Sequence, residues 1–195
     1  MLWGWAYPMG VADVATTSAE GVDANSSSSG ESDTPEARAS ALEEEPEVET
    51  HLHGFALVGG EVTYTGSGLM DGRVLNSYAI DEHKGYLRVA ATTGFAWSEE
   101  SPFLNHVYVY RNVEGVLTLL AEAVHADTPE VKGFGAGEQV RGVRFLGDKG
   151  YVVTFKQTDP LFALDLSDPL SPRITGELGD LTGFSTWIGP FDEDH

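Results

Sequence analysis

The sequence predicts an all-β chain assembled from repeated four-stranded antiparallel units. Three observations carry that expectation. From His51 onward, short runs of β-branched and aromatic residues alternate with Gly, Asp, Asn and Pro turns, the pattern of successive strands. No segment sustains a long helical period of apolar residues. And one pattern, strand then acidic turn then Lys-Gly-Tyr then strand, occurs twice.

The expected strands are His51–Val58, Glu61–Gly66, Val74–Ile80, Tyr86–Thr92, His106–Arg111, Val116–Ala123, Gln139–Leu146, Tyr151–Lys156, Leu161–Leu166, Pro172–Leu178 and Phe184–Pro190. Thr118–Val124 is the best helix candidate, and its neighbours favour a strand. Gly59-Gly60 suits a two-residue hairpin turn that needs positive φ. His83-Lys84-Gly85 and Asp148-Lys149-Gly150 are each expected to place their final glycine in the left-handed region of a hairpin loop. Asp165-Leu166-Ser167-Asp168-Pro169 closes a strand with an Asx- or Ser-type turn and a proline that stops it.

Aligning the two Gly-Tyr pairs sets Ala79–Ala90 over Arg144–Phe155. In each copy a loop follows, Thr93–Asn105 in the first and Gln157–Pro160 in the second. Then come His106–Tyr110 and Leu161–Asp165, and after another turn Val116–Leu120 and Arg173–Glu177. The second unit, Gln139 to Gly179, is about 40 residues long, the size of one blade of a β-propeller. His51–Gly66 is expected to be the last two strands of an earlier blade, and Phe184–Pro190 the first strand of a later one. The expectation is therefore a partial propeller: two whole blades and parts of two others. A closed ring has typically four to eight blades. On this reading the terminal Phe191-Asp192-Glu193-Asp194-His195 is the first turn of a blade that continues beyond the chain, and the working protein is longer.

Charge divides the chain differently. It holds 31 acidic and 11 basic residues, a formal net charge of −20. Residues 1–50 alone carry eleven acids and one base, Arg38, together with Ser26–Gly30 and Glu43–Pro46. Few large apolar residues lie between Asp13 and Thr50, so this low-complexity segment is expected to be disordered and solvated. The packed domain is expected at residues 51–195. Nucleic acid is excluded as a partner, because a polyanion requires a cationic face. The chain has no cysteine, which removes disulfides, thiolate metal sites and cysteine nucleophiles. No stretch reaches the roughly 20 apolar residues of a transmembrane helix. The apolar start, Met1–Ala15, lacks the cationic lead of a signal peptide and is broken by Gly4, Pro8 and Gly10.

Several stretches carry a resemblance. Gly85–Ala90, Gly150–Phe162 and Asp165–Pro169 resemble the prokaryotic secreted β-propeller family that is distantly related to WD repeats. Thr50–Phe55 and Gly183–Trp187 are also similar to its motifs. The resemblance covers most of residues 50–195. It implies an extracellular or cell-surface interaction module whose full-length relatives run to several hundred residues. It brings no established activity, no cofactor and no catalytic residues. In that family context Leu2–Tyr7 would be an upstream strand, and residues 8–50 an enlarged loop within a blade. The alternative is a propeller enzyme, a hydrolase or lyase, with its site at the central channel.

Individual residues are weighed against plain structural roles. His51 and His53 share one face of a strand, a weak zinc or copper signature without a third ligand. Asp81, Glu82 and His83, with Asp192, Glu193, Asp194 and His195, resemble a metal or acid/base cluster, yet Asp148 recurs at the equivalent turn, as turn propensity predicts. Gly133-Phe134-Gly135-Ala136-Gly137 lacks the Lys-Ser/Thr of a phosphate loop and reads as a flexible connector between blades. Ser185 and His195 form no triad by coexisting. Trp97, with Phe95 and Phe103 in the long loop of the first whole blade, is the preferred place to look for binding of a protein or carbohydrate. The sequence assigns no catalytic, metal or cofactor residue.

Overall fold

The computed structural model describes residues 48–96, 98–156, 159–179 and 188–189. The segment before residue 48, Trp97, Ser185, most of the expected strand Phe184–Pro190 and the terminal Phe191–His195 lie outside them. The strands are β1 (Glu49–Val58), β2 (Glu61–Asp71), β3 (Arg73–Val74), β4 (Ile80–His83), β5 (Tyr86–Thr93), β6 (Leu104–Val113), β7 (Val116–Glu122), β8 (Val124–His125), β9 (Gln139–Leu146), β10 (Lys149–Phe155), β11 (Leu161–Asp165) and β12 (Arg173–Leu178). They form two sheets, in the orders β1-β2-β7-β6-β5-β3, with β4 also on β5, and β8-β12-β11-β10-β9.

Within these sheets β4–β7 and β9–β12 are the two expected blades, each an antiparallel meander in sequence order. The fold is thus all-β and a partial propeller. Blade one is buried on both faces. Ala90 and Val107 face a core shared with Val140, Val143, Phe145, Val152 and Phe162 of blade two. Leu87, Val89, Ala91, Tyr108 and Tyr110 face the other way, onto Leu52 and Met70 of the β1–β2 hairpin. Burial on both sides is why β5 and β6 read as almost unbroken apolar runs. Val89 and Val107, fully enclosed, each contribute roughly 1.5–3 kcal/mol by leaving water.

The blades meet at their outer strands in a repeated way. Ser67 of β2 pairs in parallel with Val116 at the start of β7. Val124 and His125 of β8, which continues the path of β7, pair in parallel with Arg173 and Ile174 of β12. The first contact depends on Gly66, where a Cβ would lie 2.4 Å from the Gly115 carbonyl oxygen.

Three local expectations change. The strand expected at Val74–Ile80 is instead the short β3 followed by a 3-10 turn, Ser77–Ala79, and then β4. Asn76 causes the break: its side chain accepts the Tyr78 N–H at 2.9 Å and starts the turn. In the second repeat the hairpin closes between Leu146 and Lys149, so its turn is Gly147-Asp148, two residues earlier than the aligned letters place it. Gly147, not Gly150, has positive φ, at 53°. Gly150 lies in β10, opposite Phe145 and Leu164, and its small size matters because Leu166 and Phe145 would lie 3.1 and 3.3 Å from a Cβ. The third change is at the domain start: β1 begins at Glu49, and Thr50 is fully buried with its hydroxyl donating to the Gly72 carbonyl at 2.6 Å.

The β1–β2 hairpin, closed as expected by Gly59-Gly60 with φ of 62° and 87°, extends past blade one. β2 runs parallel to β7 and meets it only from Ser67, so Phe55–Tyr64 continue beyond the Glu114-Gly115 turn. A bulge at Gly54/Phe55 marks where this arm leaves the sheet.

Candidate functional site

The acidic turn residues singled out by the sequence form a clasp between the blades. Asp81 and Arg88 are cross-strand partners on β4 and β5. The Arg88 guanidinium donates to Asp81 Oδ2 through Nε at 2.9 Å and again through Nη2, and its Nη1 donates to the Gly147 carbonyl of blade two at 2.6 Å. It also lies 5.1 Å from the centre of the Phe145 ring. At Asp148, the residue after Gly147, both carboxyl oxygens accept from Lys84 Nζ, at 2.7 and 3.0 Å, and His83 Nε2 sits 3.1 Å from Oδ1. Glu82 accepts the Gly85 N–H at 2.8 Å and stabilises its own turn. Asp81, Glu82, His83 and Asp148 are therefore brought together with partners that satisfy them. Tyr86, Val109, Leu166, Ser167 and Pro169 complete a shallow groove beside the clasp. Arg88 went unrecognised in the sequence. Its signal was a lone charge in the apolar run Tyr86–Ala90, opposite Asp81 in the hairpin register.

Hydrogen bonds from Lys84, then from His83, hold the Asp148 carboxyl below the usual aspartate range. The folded state thus favours the ionised form. Its contribution is complete above the unfolded value of about 3.9 and is lost as pH falls through the lower folded value. Asp148→Asn is expected to narrow the loss of stability between pH 7 and pH 3. Urea midpoints at the two pH values check this, and an equal loss in both proteins would exclude the clasp as an acid-sensitive contact.

A second cluster, which the sequence did not reveal, spans β5, β6 and β7. His106 Nδ1 lies 2.7 Å from Glu122 Oε1, and its Nε2 lies 2.9 Å from the Thr93 hydroxyl. Lys132 stands 3.8 Å from the other Glu122 oxygen. The imidazole stacks on Tyr108, ring centres 5.3 Å apart. Burial, reinforced by Glu122 and Asp71, pushes the Tyr108 and Tyr110 phenols well above their ordinary range. A hydroxyl, an imidazole and a carboxylate in series is the order used to activate a nucleophile. Here His106 and Glu122 are almost enclosed, and the series ties three adjacent strands together.

The glycine-rich stretch is a connector between blades, as expected, but a pinned one. Asn105, fully buried, places Nδ2 at 3.1 Å from the carbonyls of Phe134, Gly135 and Glu138, and its Oδ1 accepts the Thr92 hydroxyl at 2.8 Å. Phe134 is thereby seated in the core, 4.7 Å from the Phe162 ring centre.

The remaining candidates separate. His51 is exposed on β1, and His53 is turned to the Tyr64 hydroxyl at 3.3 Å. Phe95 and Phe103 both fold back on Arg73, whose guanidinium lies 5.6 and 5.8 Å from their ring centres. Among the described residues no three His, Cys, Asp or Glu side chains converge as a metal site would require.

Comparison with known proteins agrees with this architecture. Residues 14–195 match the Beta propeller domain family. The chain belongs to that family. The matched span of the propeller domain begins within the acidic segment. An uncharacterized protein of Methanocaldococcus jannaschii is 39% identical over 150 residues, covering 75% of this chain and 22% of that protein. One of Archaeoglobus fulgidus is 40% identical over 145 residues, covering 74% of this chain and 20% of its own length. This propeller chain thus spans about a fifth of the curated relatives it matches. No solved structure matches it significantly.

Proposed function

We propose that this chain is a non-catalytic interaction module of an extracellular or cell-surface protein, and that its contact surface is the β1–β2 arm. The observation that carries the reading is the arm's exposed apolar face. Phe55, Leu57, Val62 and Tyr64 lie on one side of the hairpin, with Leu57 49%, Val62 65% and Tyr64 53% exposed. Leu69 continues that side at 54%. Apolar surface gathered in this way marks a site of contact rather than scattered exposure. Between Phe55 and Tyr64 the only charged residue is Glu61, on the opposite side of the hairpin from Val62 and Tyr64, so this face of the arm is uncharged on a chain of net charge −20. Aliphatic side chains dominate it, which fits a protein partner better than the stacking platform a sugar needs. The exported location rests on the family resemblance.

The test uses the chain with Val62→Asp and Tyr64→Ser as bait for surface-protein fractions. The expected result is binding by the unaltered chain and at least about tenfold weaker binding by the variant, with unchanged thermal unfolding. Equal binding by both would remove the arm from the reading. The hydrolase alternative draws on Thr93, His106 and Glu122. Ester, peptide or polysaccharide turnover that disappears in folded His106→Gln would replace the module with an enzyme.

A further inference from the structure

Arg141 and Arg144 lie on β9, the free edge of the second sheet and the first strand of its blade, the position that faces a propeller's central channel. Each keeps a buried Nε–H with no acceptor among the described residues. Neither enters an ion pair among the described residues, although acids outnumber bases 31 to 11 in the chain. Other arginines of the domain are engaged: Arg88 on Asp81 and Gly147, Arg73 on the Gly94 carbonyl, Arg111 over the Tyr86 ring. The Arg144 guanidinium lies 5.7 Å from the Tyr78 ring centre.

Geometry links the pair. Residues three apart on a regular strand point to opposite sides. β9 carries a bulge here: Val153 pairs with Gly142 and Thr154 with Val140, leaving Arg141 as the extra residue. A bulge takes one residue out of the alternation, so Arg141 and Arg144 fall on the same side. Both are half-exposed, while Val140, Val143 and Phe145 are buried against blade one. The unsatisfied atom is also informative. Nε–H and the neighbouring Nη–H form the side-on fork of a guanidinium, which matches two oxygens of one carboxylate or phosphate group. A buried donor without an acceptor is costly, and an oxyanion on this edge supplies the acceptor once the half-exposed guanidinium turns toward it.

We propose that Arg141 and Arg144 form a binding site for an oxyanion, a carboxylate or phosphate group, at the channel edge of the second blade. The inference is independent of the arm and goes beyond the interaction reading. A ligand recognised here carries its negative charge at the end that enters the channel.

The experiment titrates the full chain with inorganic phosphate and, separately, with acetate. It follows the arginine Nε–H resonances at constant ionic strength, with chloride as the control. Saturable shifts at Arg141 and Arg144 are expected, with a dissociation constant on the order of 1–10 mM. Arg141→Gln and Arg144→Gln are each expected to weaken binding at least about tenfold. Arg144→Lys, which keeps the charge and loses the fork, should weaken it as well while leaving the thermal melt unchanged. Saturation by phosphate alone assigns a phosphoryl ligand, and by acetate alone a carboxylate ligand. Shifts equal to those in chloride would overturn the site. So would phosphate binding that emerges only after Asp192→Asn, Glu193→Gln and Asp194→Asn together, because the arginines would then be partners of the chain's own acids.

Discussion

Asn105→Ala is expected to destabilise the chain by about 2–4 kcal/mol, the cost of removing a buried amide that bonds three carbonyls and a hydroxyl at once. The amide stands where three carbonyl oxygens of the Phe134–Glu138 connector converge, and its own oxygen takes the Thr92 hydroxyl. Backbone bonds between Asn105 and Phe134, at 2.9 and 3.0 Å, would remain. They would lack the side chain that orients the connector. Asn105→Asp is expected to be worse than alanine, because an isosteric carboxylate would face those carbonyls and repel them. Urea unfolding gives the order, and faster hydrogen exchange at the Phe134 amide localises it. An alanine variant within about 0.5 kcal/mol of the parent would show that the connector holds itself.

Arg88→Ala is expected to cost a similar amount, about 2–4 kcal/mol. Removing one partner of a buried pair leaves the other uncompensated, and the loss is moderated because the Asp81 side chain keeps 30% of its exposure. The arginine also spans the blades, through the Gly147 carbonyl and the Phe145 ring. Arg88→Met separates these roles. It retains the stem over Phe145 and removes the charge. With Asp81→Asn in the same chain it is expected to recover most of the stability, since no charge is then left without its partner. Failure of the double variant to improve on Arg88→Ala would place the effect in the contact with Gly147.

Much of the architecture was legible because it is local. The apolar runs, the two-residue turns and the blade-length repeat all follow from neighbours in the chain. Where letters and backbone disagreed, the backbone decided. Lys149-Gly150-Tyr151 matches Lys84-Gly85-Tyr86 in identity, yet the second turn forms at Gly147, which takes positive φ at the first turn position without steric cost. Asn76 ended an expected strand through a side-chain bond that periodicity does not register.

The site was legible in part and for a different reason. Asp81, Glu82, His83 and Asp148 stand out as turn acids and their neighbours. That Lys84 and His83 grip Asp148, 64 and 65 residues away in sequence, follows only from stacking one blade on the next. Thr93, His106 and Glu122 likewise meet because three strands run side by side, which no spacing announces.

The sequence by itself determined an all-β chain of propeller blades with a strongly acidic first segment, because strand alternation, turn residues and charge act over a few neighbours. Only the tertiary structure decided which polar groups found partners, and so which did not: the clasp at Asp148, the pinned connector at Asn105, the projecting arm, and two arginines on β9 that form no ion pair among the described residues. Those outcomes depend on distances between residues far apart in the chain, and folding sets such distances only when whole sheets pack.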